Sequence, residues 1–220
     1  MDKLVILRRR KLGMSSAKGI AQFSNTGIRW VRNDMRRTPQ PQEDEVCIRW
    51  GCTSNVLSKN VINTAKAIHK VNDKPAFRRA LEGKELAPDT WYSIDDVPPN
   101  VLGNQGVIVR PAKHAQGRNI YYCNTWAQLQ EAWRKCAGGY ITEFIEKESE
   151  FRVYVVQGRA VAVAQKIPED KKAVAWNHAR GSTFENVRWD AWHLQAVRKS
   201  IEAFNISELD FGGVDVMVDG

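Results

Sequence analysis

The sequence predicts an α/β protein made of several small sheet-and-helix lobes, and three observations carry that reading. Short apolar runs such as Leu4-Val-Ile-Leu and Val46-Cys-Ile-Arg-Trp alternate with segments of helical periodicity along the 220 residues. The stretch from Tyr140 to Lys166 reads as a strand, a short acidic linker and a hairpin that turns at Gln157-Gly158. The last element, Phe211 to Gly220, alternates Val214, Val216 and Val218 against Asp215, Met217 and Asp219.

Composition bounds the answer. The length suits one large domain or two to three small lobes. No apolar run approaches the roughly 20 residues that cross a bilayer. The apolar part of Met1 to Arg10 is too short for a signal peptide and reads as a first buried strand. Cys47, Cys52, Cys123 and Cys136 show no CxxC spacing and read as reduced, buried thiols of a cytoplasmic protein. The four histidines are scattered, which argues against zinc. The net charge of +8 is localised: residues 1–37 hold ten Lys or Arg against Asp2 and Asp34, so the remainder is neutral. A basic N-terminal region of that kind is suited to an anion, whether nucleotide phosphate, an acidic metabolite or nucleic acid.

The elements follow in order. Leu4 to Leu7 is predicted as an inner strand of a parallel sheet. A short helix over Ala17–Phe23 precedes strands near Gly27 to Arg32 and Val46 to Gly51, with a polar loop from Thr38 to Glu45 between them. Val61, Ala65 and Ile68 recur at helical spacing, which predicts a helix from Val61 to Lys70. Asp73 caps the next helix, Pro75 sits in its first turn, and Gly83 stops it. Leu86 to Tyr92 is extended, and Val97-Pro-Pro-Asn is a loop joining two lobes. Gly106 to Pro111 is a strand that runs into a polar loop from Lys113 to Asn119, with Ile120 to Cys123 as the return strand. Thr125-Trp-Ala-Gln128 opens a helix with Trp126, Leu129 and Trp133 inward, closed by Gly138-Gly139. On the hairpin arm, Phe151, Val153 and Val155 take one face and Arg152 and Tyr154 the other. Ala191, Leu194, Val197, Ile201 and Phe204 mark an amphipathic helix.

Three features line up along the chain: Asp73-Lys74 opening a helix, a strand carrying Arg110 into a glycine-containing loop, and Glu-Phe-Ile followed by Glu-Phe-Arg-Val. In this order they resemble the ATP-grasp superfamily of carboxylate–amine ligases. Ile48-Arg-Trp-Gly and Arg110-Pro-Ala-Lys-His-Ala-Gln-Gly-Arg look most like the ATP-grasp proteins of tailed bacteriophages. The resemblance implies an N-terminal basic α/β lobe over 1–72, a central lobe over 73–145 and a C-terminal lobe over 146–220, the last two clamping ATP.

Residue by residue, the resemblance implies the following roles. Lys74 reaches a nucleotide phosphate. Arg110 stands where the family has a second lysine and keeps the charge with a different geometry. The loop of Lys113 and Gly117 covers the β- and γ-phosphates, with Asn119 in place of a common second glycine. Glu143, Phe144 and Ile145 read and sandwich adenine. Glu150 accepts from the ribose hydroxyls. Arg152, Lys166 and Arg180 line the phosphate and acyl-phosphate side. Asp215 is the first magnesium ligand. Asp219 lies about 13 Å further along the same strand, too far to share its ion. The family's remaining ligands, a Glu and an Asn, belong to the next strand, and Gly220 falls at the turn before it.

The implied activity is an ATP- and Mg²⁺-dependent ligase that joins a carboxylate to an amine through an acyl phosphate. Such chemistry needs cations and exclusion of water, with no Ser, Cys or His nucleophile. His114 and His178 read as surface or substrate-contacting residues. The expected acceptor is an anionic small molecule or peptide, and the expected compartment is the cytoplasm, that of the host for a phage protein. Two other readings stand beside this one: a basic nucleic-acid-associated protein with tryptophans for stacking, and a nucleotide-binding protein without catalysis.

Overall fold

β1 (Lys3–Arg8) is the centre of a parallel sheet ordered β2-β1-β3-β4, between β2 (Gly27–Trp30) and β3 (Glu45–Trp50), with the short β4 (Val61–Ile62) on the outside of β3. Val5, Ile6 and Leu7 are buried in succession, as a strand covered on both faces requires. Val5, Leu7, Cys47 and Cys52 form the core of this unit. The computed structural model describes residues 3–8, 18–19, 22, 27–30, 44–53, 56, 58–113, 119–176 and 181–219. It divides the chain into two units, Met1–Val71 with Glu208–Phe211, and Asn72–Ser207 with Gly212–Gly220. Most of the expected helix over Ala17–Phe23 and of the loop from Thr38 lies outside the described residues.

The helix predicted from Val61 begins four residues later, as α1 (Ala65–Asn72). The β-branched pair Val61 and Ile62 joins β3 instead, and Asn63 then turns the chain at φ 62°. Thr64 Oγ1 accepts from the Ala67 amide at 3.1 Å and caps α1. The Asn63 side chain also clasps a distant segment. Its Oδ1 accepts from the amides of Asp210 and Phe211 at 2.8 and 3.2 Å, and its Nδ2 donates to the Phe211 carbonyl at 3.0 Å.

In the second unit, α2 (Lys74–Leu81) starts as predicted, with Asp73 Oδ1 accepting from the Ala76 amide at 3.1 Å. An antiparallel sheet follows in the order β5-β8-β6-β7, from β5 (Thr90–Trp91), β6 (Val107–Arg110), β7 (Tyr121–Cys123) and β8 (Tyr140–Glu143). Of the extended segment 86–92, only β5 pairs. Val97-Pro-Pro-Asn is no open linker: Pro99 opens α3 (Pro99–Asn104), where proline has no amide bond to lose and its φ suits a helix start. α4 (Trp126–Lys135) is capped by Thr125 Oγ1, which accepts from the Gln128 amide, while Gln128 Oε1 accepts from the Asn124 amide. Its buried stripe is Leu129 and Ala132 with Cys136, whereas Trp126, expected inward, is 41% exposed. Trp126 is the first residue of the helix, and there its side chain is not covered by the core.

The other sheet is ordered β11-β10-β9-β12, from β9 (Ser149–Val156), β10 (Arg159–Ile167), β11 (Thr183–Val187) and β12 (Phe211–Val218). Gln157 and Gly158 both take positive φ, as a tight two-residue hairpin turn requires. Phe151, Val153 and Val155 are buried as predicted, and α5 (Leu194–Ser207) packs on β9. Val197 and Phe204 face inward, but Leu194 is exposed at the first position of the helix. β11 went unforeseen because Thr183-Phe-Glu-Asn-Val has no alternation of apolar and polar residues; it is an edge strand with mostly exposed side chains. All four cysteines are buried and stand outside any disulfide. Among the described residues no helix is long and apolar enough to cross a membrane.

Candidate functional site

Strand register puts charge on the face of the β11-β10-β9-β12 sheet that α5 does not cover. Arg152 pairs with Ala164 and Lys166 with Phe184, so Glu150, Arg152, Lys166 and Phe184 share that face by alternation. Asp215 of β12 joins them. The Arg152 guanidinium forks onto its carboxylate, Nε to Oδ1 at 2.8 Å and Nη2 to Oδ2 at 3.0 Å. Gly213 makes room for this arrangement, since a Cβ there would stand 3.3 Å from Arg152 Cδ. Lys166 Nζ lies 3.4 Å from Asp215 Oδ2 and also donates to Glu150 Oε1. Lys147 Nζ donates to the other oxygen of Glu150 at 2.5 Å.

Aromatic rings back the cations. The Phe184 ring centre is 4.7 Å from Arg152 Cζ and 5.8 Å from Lys166 Nζ, and the Trp176 ring centre is 4.5 Å from Lys147 Nζ.

Three further cations complete the group. Lys74 lies within electrostatic reach of Arg78, Arg110 and Asp215, and Lys147 within reach of Arg110 and Lys166. Lys74, Arg110, Glu150 and Asp215 therefore belong to one continuous network. Burial pulls the Lys74 ammonium below the ordinary lysine range; repulsion by Arg78 and Arg110 adds to this and Asp215 opposes it. Burial lowers Lys147 likewise, against attraction by Glu150. For Asp215 burial raises the pKa, but the Arg152 fork and Lys166 outweigh it and hold the carboxyl below the usual range. Arg110 is placed by close backbone contact: a Cβ on Gly139 would fall inside the Arg110 carbonyl oxygen, so only glycine lets the chain enter β8 there.

Next to this network is a cleft of about 520 Å³ lined by Asn104, Gln105, Tyr122, Phe144, Ile145, Glu146 and Asp219. Tyr122 and Phe144 meet edge to face, with ring centres 4.9 Å apart. Phe144 and Ile145 thus line a cavity, while the Glu143 carboxylate is turned to the sheet edge and accepts from the Asp89 amide at 3.0 Å. Lys113 is exposed. Gly117, Arg180, His114 and His178 lie outside the described residues. Asn119, standing for a glycine, adopts φ 55°, a conformation asparagine tolerates better than most residues.

Arg78, Lys147, Trp176 and Phe184 were missed at the level of sequence. Arg78 had a legible signal, one helical turn beyond Lys74. Lys147 looked like part of a solvated linker, and the two rings carry no local pattern.

The cation-rich group fits a polyphosphate. A divalent cation fits less well, because among the described residues no three His, Cys, Asp or Glu side chains cluster and both Asp215 oxygens already carry cations.

No family model matches the sequence, and neither does any curated protein. Solved structures match throughout. D-alanine–D-alanine ligase from Bacillus anthracis aligns with a TM-score of 0.63 at 12% identity, over 100% of this chain and 83% of that one. The ATP-grasp ligase PsnB complexed with a minimal precursor gives 0.65 at 10% identity, over 100% and 86%. The macrocyclase MdnC from Microcystis aeruginosa, bound with the precursor peptide MdnA, gives 0.63 at 12% identity, over 99% and 87%. Identities this low establish architecture and not activity. The chain has the ATP-grasp fold.

Proposed function

We propose that this protein binds ATP at the cationic cluster and uses it to activate a carboxylate, as an acyl phosphate, for attack by an amine or similar nucleophile. One observation carries the reading: among the described residues, the cations Lys74, Arg78, Arg110, Lys147, Arg152 and Lys166 form one group whose carboxylates are Glu150 and Asp215. Cations held together at a cost in burial and mutual repulsion are suited to a polyanion. Lys74 and Arg110 would hold the phosphates, with Lys113 and Gly117 closing over them. Phe144 and Ile145 would sandwich adenine in the cleft, read by backbone groups from Glu143 onward. Glu150 would accept the ribose hydroxyls with its remaining lone pairs. Arg152, Lys166 and Arg180 would stabilise charge on the transferred phosphoryl group. Asp215 would meet magnesium only on release from Arg152 and Lys166.

PsnB and MdnC were each solved with precursor peptides, which supports a peptide as acceptor here. The basic stretch of residues 1–37 supports an anionic one. The segments from Ile48 and from Arg110 support a phage origin and, with it, a host-cytoplasm setting. A second reading, nucleotide binding without turnover, is favoured by the engagement of Asp215 with Arg152.

Thermal stabilisation by ATP plus Mg²⁺, measured beside phosphate release with mixed amino acids and acidic peptides, tests the proposal. Stabilisation with acceptor-dependent release supports ligation. Stabilisation alone supports the second reading. A salt-sensitive gel shift of nucleic acid without stabilisation by ATP overturns both.

A further inference from the structure

Two buried donors in the cluster meet no acceptor among the described residues: Nε of Arg110 and Nε1 of Trp176. Trp176 is only 4% exposed, so solvent cannot readily satisfy its indole N–H. Lys147 links the two. Its ammonium lies 4.5 Å from the Trp176 ring centre and within electrostatic reach of Arg110. The Lys147 side chain is 9% exposed, yet among the described residues its counter-ion is Glu150, which it shares with Lys166. Two carboxylates, Glu150 and Asp215, against the three cations Lys147, Lys166 and Arg152 leave positive charge uncompensated, and the face of a tryptophan ring offsets only part of it. Lys147 also lies two residues beyond Ile145, whose side chain lines the neighbouring cleft. Glu146, the residue just before Lys147, also lines that cleft.

We propose that Lys147, Trp176 and Arg110 form an oxyanion subsite for one phosphate group of the bound nucleotide. The Lys147 ammonium, the indole N–H and the guanidinium Nε–H each donate to phosphate oxygens. This rests on the nucleotide reading above and adds to it a donor set from the acidic linker and from the segment after β10. Arginine keeps a forked donor at position 110, and the linker lysine supplies the point charge that a lysine there would have carried.

The test is isothermal titration of ATP and of adenosine into wild type, Lys147→Met, Lys147→Arg and Trp176→Phe, each checked for folding by circular dichroism. ATP affinity is expected to fall about tenfold or more in Lys147→Met and about three- to tenfold in Trp176→Phe, the scale of one lost charge-assisted and one lost neutral hydrogen bond. Lys147→Arg retains affinity within about threefold, because the charge remains. Adenosine binding falls clearly less than ATP binding in each variant, since adenosine offers no phosphate and feels Lys147 only through Glu150. Unaltered ATP affinity in Lys147→Met and Trp176→Phe overturns the subsite while leaving the nucleotide reading intact. Equal losses for adenosine overturn it too, by making the residues structural. Failure of wild type to bind ATP overturns both readings. If Lys147→Met does not fold, Trp176→Phe, which keeps the ring, decides alone.

Discussion

Replacing Glu150 by Gln strips the charge that two buried lysines share. Its side chain is 8% exposed, and those of Lys147 and Lys166 are 9% and 6%. Removing one partner of a buried ion pair costs about 3–5 kcal/mol, because the remaining charge is left dehydrated and unpaired. Here Lys166 keeps Asp215 at 3.4 Å and Lys147 keeps the Trp176 ring. The loss should therefore fall near the lower end, about 3 kcal/mol. For a chain of this size that lowers the thermal midpoint by about 6–12 °C. It also moves a urea midpoint by about 1–1.5 M, taking a slope of about 2–3 kcal/mol per molar. Adding Lys147→Met to Glu150→Gln removes one stranded ammonium and should recover about 1–2 kcal/mol, so the pair is strongly non-additive. Urea denaturation of wild type, both single variants and the double variant measures this cycle. A Glu150→Gln variant within about 0.5 kcal/mol of wild type, or a double variant at the plain sum of its parts, would show that the lysines are solvated and the network is not a unit.

Other outcomes follow from the same geometry. Asp215 has a depressed folded pKa, so the stability it contributes is present above the ordinary aspartate value and is lost as pH falls through the folded value. The advantage of wild type over Asp215→Asn, about 1 kcal/mol or less because the pair is part exposed, should vanish in acid denaturation scans. Lys74 has a depressed folded pKa from burial, so the unfolded chain binds its proton more readily. Lys74→Met should therefore gain stability relative to wild type most clearly below the alkaline lysine range, while its ATP affinity in titration falls about tenfold. Gly139→Ala should cost about 3 kcal/mol or more, since its Cβ would strike the backbone oxygens of Arg110 and Cys136. Gly213→Ala should cost under about 1 kcal/mol, as only the flexible Arg152 stem must yield. Parallel urea melts separate these two glycines.

Legibility in the sequence followed the range of the forces involved. The Asp73 cap, the Thr125 box, the Gln157-Gly158 turn and the buried face of β9 were readable because hydrogen bonds and strand alternation act within a few residues. The helix expected at Val61 failed because β3 offers those two residues a ladder, a partner 14 positions away in sequence from Cys47. Trp126 and Leu194 misled because first-turn residues of a helix can carry an apolar side chain that the core does not reach.

By itself, the sequence determined a mixed α/β chain, its hairpin face of ions over aliphatics, and the candidates Lys74, Arg110, Glu150, Arg152, Lys166 and Asp215. Tertiary structure alone decided that these six share a network, that Glu150 carries two lysines, and that Arg78, Lys147, Trp176 and Phe184 belong with them. The physical reason is the reach of the interactions. Caps and turns are settled by neighbours in sequence, whereas an ion pair such as Arg152–Asp215, 63 residues apart, exists only once strand register sets both side chains on one face.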